Sequence, residues 1–448
     1  MFVTIRPPAT CPQRLMACDG GRVQGQALRA GNSLGKIMKF FLLKQLQWIL
    51  KVLAGATIRK YEPSVVAITG TVGKTSTKEA VYAVLKDLRS VRKSSGSFNN
   101  ELGVPLTVLG DWDKVGGVFF WIKVISIGIF NLIKRVKYPE ILILEYGVQK
   151  PGDMKYLLEI AKPSIAVMTA VGETPVHVEY FNSPESVAKE KFKLLDALPA
   201  IGFAITNNDD EVVSEMSEKI RAHSMKFGYS VNSDVRISGF ENLSTEDRPF
   251  GISFKLGYGG AIVPVRVAGA FGKAQSYAAA AASSVGLIFG SNLVRISESL
   301  SSNYTPPKRR MNLLNGIKKS YVLDDSYNAS PLSMRAAIET VKDLNAKRKI
   351  GVLGDMLELG QFSLQAHEEI GRLAGGSFDY LVTVGSISKM MVEGASKGGV
   401  IDKKNIKNFD KAEDAISFVK DLLKPGDLVL IKASRGIGLD KIVDTIKI

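Results

Sequence analysis

Between Ile68 and Thr77 the sequence reads Ile-Thr-Gly-Thr-Val-Gly-Lys-Thr-Ser-Thr, directly after the aliphatic run Val65-Val66-Ala67. These residue types, in this order, suit the binding of a polyphosphate. Gly70 and Gly73 allow the backbone to approach an anion closely, and the helix expected to follow offers free N–H donors and positive potential. Lys74 is placed to neutralise the β- and γ-phosphates of ATP and Thr75 to set a hydroxyl on Mg²⁺, with Thr71 and Ser76 in the same loop. Ile68 stands where the common GxxxxGK[ST] pattern has its first glycine. A chance glycine-rich turn is the bland alternative, and a GKTS at the head of a helix argues against it.

A second chemical position is Glu145, after the strand-like run Ile141-Leu142-Ile143-Leu144. An acid there projects from the C-terminal edge of a strand, where doubly wound folds bind ligands. In isolation it would be an ordinary strand-end acid; beside a phosphate loop its hard oxygens suit Mg²⁺. Composition closes off other chemistries. The two cysteines, Cys11 and Cys18, lie near the N-terminus, and the three histidines are His177, His223 and His367. A disulfide framework, a cysteine-rich zinc site and a histidine-rich metal site are thereby excluded.

The elements that must hold these residues follow from hydropathy. Residues 65–68, 141–144, 165–168 and 203–205 read as buried parallel strands, with a helix over 77–88. Residues 230–268, with Gly257, Gly259 and Gly260, read as an antiparallel flap, and an Ala-rich helix is expected at 275–285. Pro306-Pro307 marks a boundary. Beyond it, residues 321–323, 350–353, 380–384 and 428–431 read as strands of a small Rossmann-like domain. The predicted fold class is α/β. Residues 1–61 form a reduced N-terminal region, 62–305 a central ATP-binding parallel-sheet domain, and 306–448 the C-terminal Rossmann-like domain.

The 448 residues are 45% hydrophobic and 23% charged, which excludes a wholly disordered chain. A net charge of +15 favours anionic partners: nucleotides, phosphorylated substrates, nucleic acid or a membrane face. No recognition motif supports nucleic acid. The first 35 or so residues lack periodicity and the apolar core of a signal peptide, so a disordered tail, or an extension ahead of a natural start at Met38, is expected. Residues 39–54 carry Leu42, Leu46, Ile49, Leu50 and Leu53 at helical spacing, with Lys44, Gln47 and Lys51 on another face. They read as a buried amphipathic helix, or as a basic helix lying on an anionic membrane. Residues 115–133 approach the length of a membrane span. A single crossing there would separate Lys74 from Glu145, so a buried or interfacial helical hairpin is expected, with peripheral membrane contact as the sharper reading.

Over roughly residues 62–448 the sequence resembles the Mur ligase family. The motifs that carry the resemblance are the phosphate loop and the run Asn99-Asn100-Glu101-Leu102-Gly103-Val104-Pro105-Leu106-Thr107. Two more are Asp324-Asp325-Ser326-Tyr327-Asn328-Ala329-Ser330-Pro331 and Leu353-Gly354-Asp355-Met356-Leu357-Glu358-Leu359-Gly360. The last two resemble the branch that adds D-Ala-D-Ala to the UDP-MurNAc-tripeptide of peptidoglycan. What the resemblance implies is a cytoplasmic ligase: a substrate carboxylate attacks the γ-phosphate of ATP, and an amine then displaces phosphate from the acyl phosphate.

The same resemblance implies two Mg²⁺ ions, one held by Glu145 and by a histidine that His177 matches with a slip of about one residue. It implies a carbamylated lysine whose anionic oxygen would be a Mg²⁺ ligand, for which Lys191 is the candidate and Lys189 the runner-up; a solvated basic helix face is the alternative. Lys74, His177 and Lys191 are the catalytic set. Arg310 and Asp325 carry over as nucleotide contacts from across a domain cleft, Asn99, Asn100 and Asn328 as substrate contacts, and Ser434 and Arg435 as contacts near the incoming amine. Where the family contacts adenine through GxHNxxNA, this chain has Ala274-Gln275. Gln275 keeps an amide, while the histidine's stacking role is gone. The loop Asn207-Asn208-Asp209-Asp210 resembles one near the nucleotide.

A complete uridine-binding domain does not fit in the 73 residues before Lys74, so recognition of the UDP-sugar is expected to be reduced, relocated or changed. Two alternatives stand beside the leading reading: a Mur-fold ligase acting on a different carboxylate, and a non-catalytic nucleotide-binding scaffold. Intact Lys74, Thr75, Glu145 and His177 argue against the scaffold.

Overall fold

The computed structural model describes residues 24–245 and 248–448, with side chains from residue 41 onward. Cys11, Cys18 and the first 23 residues of the expected tail lie outside the described residues. Helix α1 spans Gln24–Tyr61, so the tail expected to reach residue 35 is corrected: its last part has helical backbone, as has Met38. Gly31 and Gly35 dilute the apolar period there, which hides the helix from a hydropathy reading. The chain divides into two units, Met1–Ile49 and Leu50–Ile448. In the first, Phe41, Leu42 and Trp48 are exposed. All the chemistry lies in the second.

In that unit the β-branched runs become β1 (Ser64–Thr69), β2 (Val91–Lys93), β3 (Ile141–Glu145), β4 (Ile165–Met168), β5 (Phe203–Asn207) and β6 (His223–Gly228). Three longer strands follow: β7 (Val235–Ser244), β8 (Pro249–Tyr258) and β9 (Ala261–Ala268). Together they form one nine-stranded sheet in the order β2-β3-β1-β4-β5-β6-β7-β8-β9. The antiparallel segment is therefore no separate flap. It continues the parallel sheet through the Phe227–Val235 and Gly228–Arg236 pairs of β6 and β7. Strands β2 and β6 escaped the hydropathy reading because they are short and polar, with Arg92, Lys93, His223 and Lys226 in them.

The helices of this half are α2 (Lys74–Leu85), α3 (Gly103–Leu109), α4 (Val118–Ile133), α5 (Asp153–Ile160) and α6 (Pro184–Asp196), then α7 (Glu211–Ser217), α8 (Lys273–Ile288) and α9 (Leu293–Asn303). Helix α2 starts at Lys74 rather than at residue 77, because Gly73 at φ +91° turns the loop straight into it. Ala278 to Ala282 on α8 are all buried, and side chains this small let the helix lie close against the sheet and α2. A Cβ on Gly286 would come within 2.7 Å of Val84 on α2. The hairpin expected at 115–133 is corrected to one uninterrupted helix, α4. Its glycine pair Gly116-Gly117 lies before the helix, and Gly128 stays helical where it packs on Leu53 and Leu109.

A second, six-stranded sheet is built from β10 (Asn312–Gly316), β11 (Ser320–Asp324), β12 (Arg348–Gly354), β13 (Tyr380–Val384), β14 (Ile406–Phe409) and β15 (Asp427–Lys432). Its order is β10-β11-β15-β12-β13-β14, parallel except for the edge pair β10–β11. Helices α10 (Pro331–Asp343) and α11 (Ser363–Gly375) cover one face. The edge strands β10 and β14 are half polar, which is why they were not anticipated. In both sheets the residues with chemistry sit just beyond the C-terminal ends of parallel strands, where βα loops converge.

Candidate active site

Strand β1 lies between β3 and β4, and the loop leaving its C-terminal end turns at Gly70 (φ +142°). A Cβ on Gly70 would sit 2.0 Å from Thr169 Oγ1, so no side chain is tolerated there. The N–H groups of Thr71 and Val72 donate to the Ala170 carbonyl at 2.6 and 3.3 Å, pinning the loop to the end of β4. Lys74 bends back over this loop, and its Nζ donates to the carbonyls of Gly70 (2.8 Å) and Thr71 (3.1 Å). Burial lowers its pKa to about 8, with Glu145 opposing and Arg310 adding to the shift. An ammonium buried against neutral carbonyls gains most from an anion placed beside it.

Two side chains donate to Glu145, which is buried. Thr75 Oγ1 donates to Glu145 Oε2 at 3.0 Å, and Asn99 Nδ2 donates to Glu145 Oε1 at 2.9 Å. Arg310, from beyond the linker, donates to Thr75 Oγ1 at 3.1 Å. Its guanidinium also stacks 4.3 Å from the centre of the Tyr327 ring, and Arg435 lies 5.8 Å from the same ring. The two sheets are thus joined across the cleft by Arg310 and Thr75.

His177 takes a left-handed backbone, φ +72°. Burial, then Lys191 and Lys74, lowers its pKa to about 3, so the imidazole is neutral. Its buried Nδ1 lies 2.5 Å from Glu358 Oε2 but out of line for a hydrogen bond, and makes none elsewhere. Lys191 on α6 is only 2% exposed. Burial, and then the charge of Lys74, brings its pKa to about 7. Lys189 points to solvent, so of these two lysines only Lys191 reaches the site. Glu190 between them serves the fold, accepting from the N–H groups of Gly152 and Met154 at the start of α5.

On the opposite wall Asp325 Oδ2 is 2.7 Å from Lys432 Nζ, and its Oδ1 accepts from the Met311 N–H at 3.2 Å. Lys432 also donates to the Asn328 carbonyl at 2.8 Å. Ser434 is buried, and its Oγ accepts from the Leu357 N–H at 2.9 Å, which fixes the segment carrying Glu358. His367 supports the same segment: its Nε2 accepts from the Met356 N–H at 2.9 Å. Asn100 Oδ1 caps the start of α3 through Gly103 N–H at 2.9 Å. Gln275 is buried and accepts from the Tyr304 hydroxyl at 2.5 Å, with Ser76 beside that hydroxyl.

The walls enclose a cleft of about 430 Å³, lined among others by Lys74, Glu145, Arg310, Asp325 and Arg435. That is the size of a small-molecule site. Its far end is formed by Gly272, by Ala274 and Gln275 of α8, and by Ala337 and Thr340 of α10. A smaller cavity of about 90 Å³ touches Gly70, Lys74, Asn100, His177, Lys191 and Asn328. The residues assigned catalytic, metal, nucleotide and substrate roles from the sequence all line one of these two cavities, whereas Lys189 does not. The loop Asn207-Asn208-Asp209-Asp210 serves another end: Asp210 accepts from the N–H groups of Val171 and Gly172, holding the path from β4 towards His177.

Sequence reading missed Glu358, Tyr327 and Lys432 as members of the site, although each lies in or beside a quoted motif. It also missed Lys78, one helical turn beyond Lys74. Lys78 is fully buried, donates to the Gly96 carbonyl and lies 4.0 Å from Glu145 Oε2. Among the described residues no three His, Cys, Asp or Glu side chains converge as a ready metal cluster. The donors that do fit a hard cation are the Thr75 hydroxyl and the Glu145 carboxylate, with the non-hydrogen-bonded Nδ1 of neutral His177 as a further ligand.

Two family patterns match the chain: Mur ligase middle domain over residues 68–116 and 125–284, and Mur ligase, glutamate ligase domain over residues 309–435. The UDP-N-acetylmuramoyl-tripeptide--D-alanyl-D-alanine ligase of Mycobacterium tuberculosis is 33% identical over 401 residues, 86% of this chain and 72% of that protein. The protein of the same name from Bacillus subtilis is 29% identical over 396 residues, 88% of this chain and 78% of that one. The crystal structure of MurF ligase from Thermotoga maritima in complex with ADP superposes with a TM-score of 0.72. It shares 26% identity and covers 89% of this chain and 83% of that one.

Proposed function

Because the chain belongs to the Mur ligase family, we propose that it joins D-alanyl-D-alanine to UDP-N-acetylmuramoyl-tripeptide at the expense of ATP. It is an ATP-dependent acid–amino-acid ligase, and its substrates are small molecules. The observation that carries the reading is the contact of Arg310 with Thr75 across the cleft, beside Lys74 and Glu145. It brings cations from both walls to one point, as transfer of a γ-phosphoryl group requires.

In the first step a substrate carboxylate attacks the γ-phosphorus, the bond to the β,γ-bridging oxygen breaks, and ADP leaves. Lys74 would exchange its loop carbonyls for phosphate oxygens, and Arg310 would neutralise charge from the other side. In the second step the dipeptide amine attacks the acyl carbon, phosphate departs, and the amine loses a proton. No protein nucleophile is needed, only enclosure of the acyl phosphate from water. Asn99, Asn100 and Asn328 are the substrate-side contacts of this reading, with Ser434 and Arg435 towards the amine. Gln275 and Asp325 belong to the nucleotide side.

Mg²⁺ bound by Thr75, Glu145 and His177 would supply charge neutralisation to the phosphates. Lys191 is proposed as a carbamate: at a pKa of about 7 much of it is the neutral amine that adds to CO₂. The resulting anion would also relieve its repulsion with Lys74. Residues 62–305 and 306–448 are the proposed ATP-binding and C-terminal domains, and the cytoplasm, where ATP is found, is the proposed location.

The test is phosphate release from Mg·ATP with UDP-MurNAc-tripeptide, with and without D-Ala-D-Ala. Release that needs both substrates and disappears in Lys74→Ala supports the reading. ATP binding without release sinks this acceptor and directs the search to other carboxylates.

A further inference from the structure

Helix α4 is held firmly on one side and bare on the other. On the inner side Val124 and Gly128 are buried against the body, and Lys60 Nζ donates to the carbonyls of Asn131 (3.0 Å), Leu132 (2.9 Å) and Lys134 (3.1 Å). The Tyr61 hydroxyl donates to Asn131 as well, at 2.8 Å. The helix is therefore fixed in orientation by its C-terminal end. On the outer side Val118 is 73% exposed, Phe119 88%, Ile122 53%, Ile129 45% and Ile133 78%. Spaced at three, four and seven residues, these positions fall on one stripe of the helix.

Three further features say what this stripe meets. Helix α4 contains no acid, and its one charge is Lys123. Cations flank both ends, Lys114 before and Lys134, Arg135 and Lys137 after, against Asp111, Asp113 and Glu140. All five cations are exposed. The match to the family's middle domain does not run through residues 117–124, which include the N-terminal half of the helix. With 16 residues, or roughly 24 Å at 1.5 Å per residue, the helix is too short to cross a bilayer.

We propose that the outer face of α4 is a lipid-docking surface that seats the protein on an anionic bilayer. Phe119, Ile122 and their stripe enter the boundary between headgroups and acyl chains, and the flanking lysines and Arg135 meet the phosphates. The proposal stands apart from the ligase reading, since it rests on surface rather than on the reaction.

The test is co-sedimentation of the full chain with vesicles of phosphatidylcholine alone or mixed with phosphatidylglycerol, alongside tryptophan fluorescence from Trp112 and Trp121 in a Trp48→Phe background. Partition onto the anionic vesicles is expected, weakened by salt. It should fall about tenfold or more in Phe119→Asp/Ile122→Asp, whose activity in lipid-free buffer stays unchanged. Charge reversal at Lys134, Arg135 and Lys137 should weaken partition without abolishing it. No partition, or partition indifferent to the Phe119 and Ile122 changes, overturns the proposal. So does a lipid-free dimer that these two changes dissolve, because the face would then be covered by a second copy. Loss confined to a Phe41, Leu42 and Trp48 variant would move lipid contact to α1 and overturn it also.

Discussion

On the wall of the cleft made by the nine-stranded sheet, Lys74 donates to carbonyls of its own loop, Lys191 is buried near it, and His177 Nδ1 makes no hydrogen bond. On the wall made by the six-stranded sheet, Lys432 is 2.7 Å from Asp325, and Ser434 and His367 accept from the backbone that carries Glu358. One wall keeps its buried lysines short of counter-charge; the other pairs its buried lysine internally. Both walls are built alike, from the C-terminal ends of parallel strands. What differs is how the buried lysines are paired: Lys74 and Lys191 await an anionic ligand, whereas Lys432 already has Asp325, and from that second wall only Arg310 and Arg435 are left to meet the ligand.

On this contrast, removing a buried lysine of the first wall should cost activity and spare stability, whereas breaking the Asp325–Lys432 pair of the second should cost stability as well. Lys74→Ala is expected to show the largest effect, a fall in kcat/KM of about 10⁴-fold with an unchanged or higher melting temperature in the absence of nucleotide. Steady-state phosphate release and thermal denaturation check both halves. Lys191→Met should lower kcat by about 10³-fold and, in CO₂-free buffer where no carbamate forms, raise the melting temperature at pH 7, since it removes a buried amine whose charged form the fold disfavours. A lower melting temperature would break the contrast. On the other wall Asp325→Ala should cost about 3 kcal/mol in urea unfolding, because Lys432 would be left buried without its partner. Replacing both residues, as Asp325→Leu with Lys432→Met, should recover most of that loss.

The pH dependence sharpens the same point. Lys74 and Lys191 have folded pKa values of about 8 and about 7, below the ordinary 10.5 of the unfolded chain. Between these values the unfolded chain binds more protons than the folded one, so their contribution to stability rises with pH from about 7 towards 10.5. His177, lowered from 6.5 to about 3, adds a rise of the same sign between those two values. Denaturant titration of nucleotide-free protein should show the alkaline rise, and Lys191→Met should flatten part of it. The smallest effect is expected at the exposed rim: Arg435→Lys, which keeps the charge and loses the planar stacking on Tyr327, should change KM by a few-fold only.

Much of this site was legible in the sequence because its positions are tied to local chemistry. A glycine-rich loop between an aliphatic run and a helix has few other uses, and an acid at the end of Ile141-Leu142-Ile143-Leu144 can only lie at a strand's edge. The choice between Lys191 and Lys189 was not legible in that way. Two lysines two residues apart on a helix point in different directions, and only the packing of α6 says which is inside. The antiparallel strands were recognised from their alternation, but not that β7 would pair with β6 and extend the sheet. The short strands β2, β6, β10 and β14 carry too many polar residues to stand out.

The residues themselves determined the α/β class, the phosphate loop, the strand ends that carry Glu145 and Asp325, and the likeness to the Mur ligases. Each of these depends on neighbours within a few residues, or on a period that the chain repeats locally. Tertiary structure alone decided that Arg310 reaches Thr75 across 235 positions of sequence, that Lys78 is buried beside Glu145, and that Glu358 closes on His177. It also decided that α4 presents its apolar stripe to solvent rather than to the core. Which face of a helix is covered, and how far burial shifts a pKa, are properties of what packs against a residue, and nothing in its own sequence neighbourhood reports them.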